Sequence, residues 1–226
     1  MPHSLHPRAA AARLVLAGAW RVMQAYASRT GTRTTLAAMR EAGWRVLVVA
    51  GAVLRSEGFP YAIDNGAWSC YQRGEPFDVG AFECALAKMG RGADWITLPD
   101  IVAGGLSSLR FSLSWLDRVS AVAPPLLAVQ DGIDPGDVRH LIGPEIGIFL
   151  GGTTEWKLET MRHWGKLAQE RGAYFHVARV NSVKRINLCN DAGAHSFDGT
   201  SVTRFGKTLR RLDLGRRQEH LFGALP

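Results

Sequence analysis

No Asp or Glu precedes Glu41 in this chain, although Arg8, Arg13, Arg21, Arg29, Arg33 and Arg40 all fall in that stretch. Cysteine is scarce: Cys70, Cys84 and Cys189 stand far apart and make no paired spacing. That excludes a disulfide scaffold and a zinc module, and it suits a reduced, cytoplasmic compartment with ordinary thiols. Long apolar runs are missing too. Arg and Gly interrupt every candidate before the roughly 18–20 residues a membrane span requires. The N-terminus lacks the apolar block and small-residue cleavage pattern of a secretory signal. What is present is 226 residues, 46% hydrophobic and 21% charged, enough for a sizeable core in a single domain spanning 1–226.

The charge balance points toward a partner. Lys plus Arg is 27 against 20 Asp plus Glu, a net charge of +7. The C-terminal part repeats the early bias with Arg204, Lys207, Arg210, Arg211, Arg216 and Arg217, opposed by Asp213 and Glu219. Such clusters suit a polyphosphate, because each neutralised phosphate releases condensed counterions. A GC-rich coding sequence that writes Arg for Lys would give the same bias.

Short apolar segments recur along the chain: Leu14–Ala17, Val46–Val49, Tyr61–Ile63, Trp95–Leu98, Leu126–Val129, Ile146–Leu150, Tyr174–Val177 and Ala194–Phe197. Several are continuous rather than alternating, which fits parallel strands buried on both faces. Helical stretches separate them, at Thr35–Ala42, Val79–Met89, Leu106–Val122, Trp156–Arg171 and Val183–Asp191. Eight strands alternating with helices predict a compact (β/α)8 barrel near its minimum length. A doubly wound open sheet is the alternative, since Leu14–Ala17 could equally open a helix. Only the two basic ends, about residues 1–10 and 212–226, read as loose.

In a barrel of this kind catalytic groups project from the C-terminal strand ends. Those ends read Asp64-Asn65-Gly66, Pro99-Asp100, Gln130-Asp131-Gly132, Gly151-Gly152-Thr153 and Asp198-Gly199. Asp before Gly is also ordinary turn chemistry, but five strand ends in agreement predict a site. Two carboxylates on one substrate supply a nucleophile and a general acid/base. A third carboxylate and an amide suit a ligand edge that offers donors and acceptors. Backbone N–H groups at Gly151 and Gly152 would donate to a closely approaching carbonyl oxygen, since no side chain blocks it, and Trp68 would stack a flat ring. A purine-like base fits, although carboxylate clusters also bind Mg²⁺.

At these residues the sequence resembles the tRNA-guanine transglycosylase superfamily, and more closely its phage branch, the DpdA-type deazapurine DNA transglycosylases. Tyr61-Ala-Ile-Asp-Asn-Gly-Ala-Trp68 resembles the strand-end Asp-Ser-Gly-Gly-aromatic motif. Leu126-Leu-Ala-Val-Gln-Asp-Gly132 resembles the Val-Gln-Gly segment, and Ile148-Phe-Leu-Gly-Gly152 the Val-Gly-Gly-Leu segment. His195-Ser-Phe-Asp-Gly-Thr-Ser-Val-Thr-Arg204 resembles the Phe-Asp…Thr-Arg motif that carries the nucleophile. The order is the family's, and the match runs from about Tyr61 to Arg204.

The resemblance implies exchange of guanine in DNA for a 7-deazaguanine such as 7-cyano-7-deazaguanine, with no redox cofactor and no metal. Asp198 would be the nucleophile at C1′ and Asp64 the proton carrier. Asp100, Asn65 and Gln130 would read the base edge, the Gly151 and Gly152 amides its carbonyl, and Trp68 would stack on it. Arg204, Lys207, Lys184 and Lys157 are candidates for phosphate contact. Asn65 and Ala67 stand where the family has Ser and Gly, and the Cys/His zinc constellation of the tRNA enzymes has no counterpart. That favours the DNA branch over a tRNA-directed exchanger. The same residues would also suit a nucleosidase-like hydrolase, or a non-catalytic barrel that binds nucleobase or nucleic acid. Outside this set, His176 reads as a packed histidine, His195 as a candidate to orient the nucleophile, Asn181 as lining the mouth, and Asp131 and Asp134 as loop and cap residues.

Overall fold

The structure is a computed structural model and describes residues 22–28 and 31–217. Eight parallel strands close into a barrel in chain order, with the last strand pairing to the first. They are β1 (Gln24–Ala27), β2 (Arg45–Val49), β3 (Tyr61–Asp64), β4 (Ala93–Thr97), β5 (Pro125–Val129), β6 (Gly147–Leu150), β7 (Phe175–Val177) and β8 (Ser196–Gly199). The helices are α1 (Arg33–Glu41), α2 (Ala67–Gln72), α3 (Val79–Met89), α4 (Gly105–Leu113), α5 (Leu116–Ser120), α6 (Pro135–Val138), α7 (Thr154–Arg171), α8 (Val183–Asp191), α9 (Ser201–Arg204) and α10 (Thr208–Arg217). The expected (β/α)8 architecture is the one found, except that β2 and β3 are joined without a helix.

Local chemistry sets the helix starts. Thr32, Asp78, Thr153 and Ser182 each turn a side-chain oxygen onto a backbone N–H of the first turn, satisfying a donor that has no partner within the helix. Asp134, expected as a cap, forms a reciprocal capping box with Asp137 at α6. β5 and β6 are buried at every position, as their unbroken apolar runs require.

Apolar packing occurs in two shells. Between strands and helices lies a large cluster that includes Met39, Trp44, Ile63, Phe82, Ile96, Trp164 and Phe197. Inside the barrel a second cluster joins Tyr26, Leu47, Trp95, Leu126, Phe149 and Tyr174. Truncating a residue as buried as Trp164 to Ala would cost about 3–5 kcal/mol. The inner cluster packs the barrel interior, so no channel runs through it and the polar strand ends lie above that packing.

Three expectations are corrected. Leu14–Ala17 lies outside the described residues, and the first strand of the barrel is Gln24–Ala27, whose run Gln-Ala-Tyr-Ala carries little β-branched signal. The stretch read as one helix over Leu106–Val122 is two, broken at Ser114-Trp115. Residues 212–217 are not loose: they end α10, where Leu212, Gly215 and Arg216 are buried. Arg216 donates to the carbonyls of Met23 and Ala42 and pairs with Asp213, tying the C-terminal helix to the base of the barrel. Arg216 and Arg217 of that basic stretch are therefore structural, whereas Arg204, Lys207, Arg210 and Arg211 are exposed.

Candidate active site at the barrel mouth

Strand pleating decides which side chains enter the barrel. Asp64, the last residue of β3, and Asp198 in β8 belong to the inward-facing set, as do His176 in β7 and Ser28 just after β1. Asp198 is 3% exposed and held on both oxygens. Its Oδ1 accepts from His176 Nε2 at 3.1 Å and from the Arg179 backbone N–H at 3.1 Å, and its Oδ2 accepts from Ser28 Oγ at 2.9 Å. Burial alone would raise this carboxyl, but these donors outweigh it and hold Asp198 below the usual carboxylate range.

His176 is fully buried, and burial lowers its pKa, so the ring is neutral. Its Nδ1 lies 2.7 Å from Ser196 Oγ. A neutral ring that donates from Nε2 to a carboxylate must accept at Nδ1, so Ser196 donates its hydroxyl hydrogen there. Phe149 stacks on the ring at 5.0 Å and Trp95 lies 4.6 Å away. His176 is therefore packed, as expected, and it is also a partner of the nucleophile candidate. The orienting role considered for His195 does not hold: that imidazole accepts from the Phe175 N–H and stacks on Tyr174, at the opposite end of β8. Ser28, His176 and Arg179 were not among the expected site residues. The only sequence signal was the run His176-Val-Ala-Arg179 through the end of β7, where His falls in phase with the barrel interior.

Asp64 behaves oppositely. It is half-buried, and its pKa is raised to about 7. Burial is the main cause; the charges of Asp198 and Asp100 add to it, while the Gly66 N–H and the Arg179 cation oppose it. The turn behind Asp64 needs glycine: Gly66 has φ of 81°, and a Cβ there would lie 2.4 Å from the Ala50 carbonyl oxygen. This turn lets the Gly66 N–H reach Asp64 Oδ1 at 2.7 Å.

Asp100 has a pKa raised by burial to about 6 despite two donors, Asn65 Nδ2 at 2.7 Å and Gln130 Nε2 at 3.2 Å. Neither amide is free to read a ligand edge, contrary to expectation. Asn65 also donates to the Leu98 carbonyl and accepts from the Ala67 N–H. Gln130 also reaches the Ile101 carbonyl and Ser108 Oγ, and accepts from the Ala103 N–H. Both are buried braces that aim Asp100 into the mouth.

Of the glycine pair, Gly151 is likewise committed, its N–H donating to the Val129 carbonyl at 2.9 Å. Gly152 has φ of 75°, and a Cβ would meet Asp131 Oδ2 at 2.6 Å. Asp131 braces this loop by accepting from both the N–H and the hydroxyl of Thr153.

Arg179 crosses the mouth. Its guanidinium carbon lies 4.3 Å from the ring centre of Trp68, and its Nη2 donates to the Gly152 carbonyl. Its backbone has φ of 59°, a conformation that costs a non-glycine residue about 1–3 kcal/mol. Trp68 is 41% exposed and stacks on Tyr71 at 5.6 Å.

Of the phosphate candidates, Arg204, Lys207 and Lys184 are exposed. Lys157 is not: it is 5% exposed, donates to the Ala178 carbonyl, and burial lowers its pKa to about 8. It supports the β7 end from behind and cannot reach a nucleic-acid backbone. Asn181 points its Oδ1 at the N–H groups of Thr200 and Ser201 and at the Ser201 hydroxyl, which fixes the loop after β8. Among the described residues no cluster of His, Cys, Asp and Glu has the geometry to hold a metal, and no helix is long and apolar enough to cross a membrane.

No family model matches the chain, and no curated protein matches it either. Solved structures do. An HpcH/HpaI aldolase from Desulfitobacterium hafniense DCB-2 superposes with a TM-score of 0.54 at 9% identity, covering 99% of this chain and 100% of the other. RipC from Yersinia pestis gives 0.52 at 12% identity, covering 84% and 94%. A tryptophan synthase from M. tuberculosis gives 0.51 at 11% identity, covering 86% and 89%. At such identities the likeness is one of architecture: this chain has the (β/α)8 barrel fold.

Proposed function

We propose that this protein is a base-exchange transglycosylase that replaces guanine in DNA with a 7-deazaguanine through a covalent aspartyl-glycosyl intermediate. The observation that carries the proposal is the opposed protonation of two carboxylates at one mouth: Asp198 anchored and ionised, Asp64 holding its proton up to about 7. Paired carboxylates pushed apart in this way divide into nucleophile and acid. The sequence motifs around both residues, in the order described above, supply the substrate class. The aldolase and the tryptophan synthase of similar fold are enzymes, which agrees with a catalytic role for the rim.

In the proposed reaction Asp198 attacks C1′ of a deoxyguanosine while the C1′–N9 bond breaks, the electron pair leaving with guanine. Asp64 donates its proton to the departing base. The incoming 7-deazaguanine then gives its N9 proton to the Asp64 carboxylate and attacks C1′, releasing Asp198. The three donors on Asp198 keep it ionised and fix its direction of attack. In duplex DNA the target must first leave the stack, at a cost of a few kcal/mol. The exposed Arg204, Lys207 and Lys184 would offset that cost through phosphate contacts.

The test is labelled 7-cyano-7-deazaguanine offered to the purified protein with duplex DNA, single-stranded DNA and tRNA in parallel. Label in DNA, abolished by Asp198→Asn, is the expected result. Label in tRNA alone would overturn the DNA assignment, and label in none of the three would overturn the reaction.

A further inference from the structure

Arg179 makes, from within the protein, the contacts that a flat ligand would make at this mouth. Its planar guanidinium lies over Trp68, the exposed indole that follows the β3 end, and it donates to the carbonyl of Gly152 across the opening. The residue is anchored by its backbone instead: its N–H is bound to Asp198 Oδ1, and the left-handed φ of 59° turns that N–H inward while the side chain crosses the rim. Rotation of the side chain alone therefore clears the opening and leaves the carboxylate undisturbed.

We propose that Arg179 is a displaceable occupant of the ring slot, and that the ligand replacing it is a flat heteroaromatic base with an N–H donor for the Gly152 carbonyl. The inference rests on the mouth being a base-binding site, and it goes further by identifying what fills that site in the free protein. A guanidinium on an aromatic face is held by a modest attraction, greater when desolvated. It can thus occupy one face of Trp68 and still yield to a ring that stacks over a larger area. A ligand that must displace an occupant binds more weakly than the bare slot would allow, by the fraction of molecules in which the slot is open. Removal of the cation also acts on the acid. Arg179 is among the groups that favour the ionised form of Asp64, so a ring that expels it helps Asp64 keep the proton it must deliver.

The experiment uses the full chain, with Arg179→Asn, because Asn tolerates a left-handed backbone, and with Arg179→Gly, for which that backbone is unstrained. Affinity for free 7-cyano-7-deazaguanine is measured by calorimetry, and exchange into DNA by the wild type is followed in parallel. Both variants are expected to bind the base roughly tenfold more tightly than the wild type. Equal or weaker binding by both, with wild-type exchange intact, overturns the displaceable occupant and leaves the transglycosylase reading standing. Tighter binding by the variants, with no exchange by the wild type, supports the occupant and overturns the reaction. No binding by any of the three proteins and no exchange overturns both.

Discussion

His176 Nε2 lies 3.1 Å from Oδ1 of Asp198, and the opposite nitrogen of the same ring lies 2.7 Å from Ser196 Oγ. The carboxylate, which can only accept, selects the tautomer with hydrogen on Nε2, Ser196 donates to the opposite nitrogen, and the ring is locked between Phe149 and Trp95. His176 is a positioning residue, acting through Asp198. His176→Phe keeps an aromatic ring in the same packing and removes both nitrogens. Exchange is expected to fall on the order of 10²-fold, the cost of a slightly misplaced reacting group. Its acid limb should move to higher pH, because Asp198 loses a donor that stabilises its ionised form. A drop in rate with an unmoved acid limb would show that the ring serves only as packing.

Asp64 couples stability to pH in a direction opposite to most carboxylates. In the unfolded chain an Asp titrates near about 3.9, whereas here burial holds the proton until about 7. The folded state therefore binds the proton more tightly. The stabilising contribution is complete below the unfolded value and is lost as pH rises through about 7. Asp64→Asn removes this dependence. Its urea midpoint, compared with wild type, should be clearly more favourable at pH 8 than at pH 4.5. An equal difference at both pH values would contradict the raised pKa.

Lys207 and Lys157 look alike as phosphate candidates in the sequence, and the structure separates them. Lys207→Ala should weaken DNA binding and reduce the slope of log affinity against log salt by about one, as for the loss of a single phosphate contact. Lys157→Met, a buried and nearly isosteric change, should leave the slope unchanged while lowering thermal stability. Filter-binding titrations over a salt series check both, and a changed slope for Lys157→Met would mean that this lysine reaches solvent.

Gly66→Ala tests the turn that holds Asp64. With φ of 81° and the Ala50 carbonyl oxygen only 2.4 Å from where the added methyl would stand, the substitution strains the backbone and meets a rigid neighbour. Destabilisation above about 1 kcal/mol is expected from denaturant unfolding. A near-neutral result would show that the β2–β3 connection can move aside.

Much of the barrel could be read along the chain. β5 and β6 announce themselves as unbroken apolar runs because both of their faces are covered, and Val79–Met89 and Val183–Asp191 are helices at the expected bounds. β1 could not be read, because Gln-Ala-Tyr-Ala becomes a strand only when β2 and β8 supply its hydrogen-bond partners. The same distinction runs through the site. Asp64, Asp100 and Asp198 were legible because polar residues that follow apolar strands must emerge at the C-terminal rim. The roles of Asn65, Gln130 and Gly151 were not, because a spare donor and a spent one look identical in sequence, and only the neighbouring strands decide which it is.

The amino-acid sequence by itself determined the alternation of strand and helix, the carboxylates at the strand ends and the uneven positive charge, since these depend on side-chain type and local period. Tertiary structure alone decided that Asp198 is held below the usual carboxylate range while Asp64 is raised to about 7, that His176 rather than His195 contacts Asp198, and that the Arg179 guanidinium lies over the Trp68 ring. Those properties arise from burial and from donors that residues far apart in the chain bring to within about 3 Å of one carboxylate.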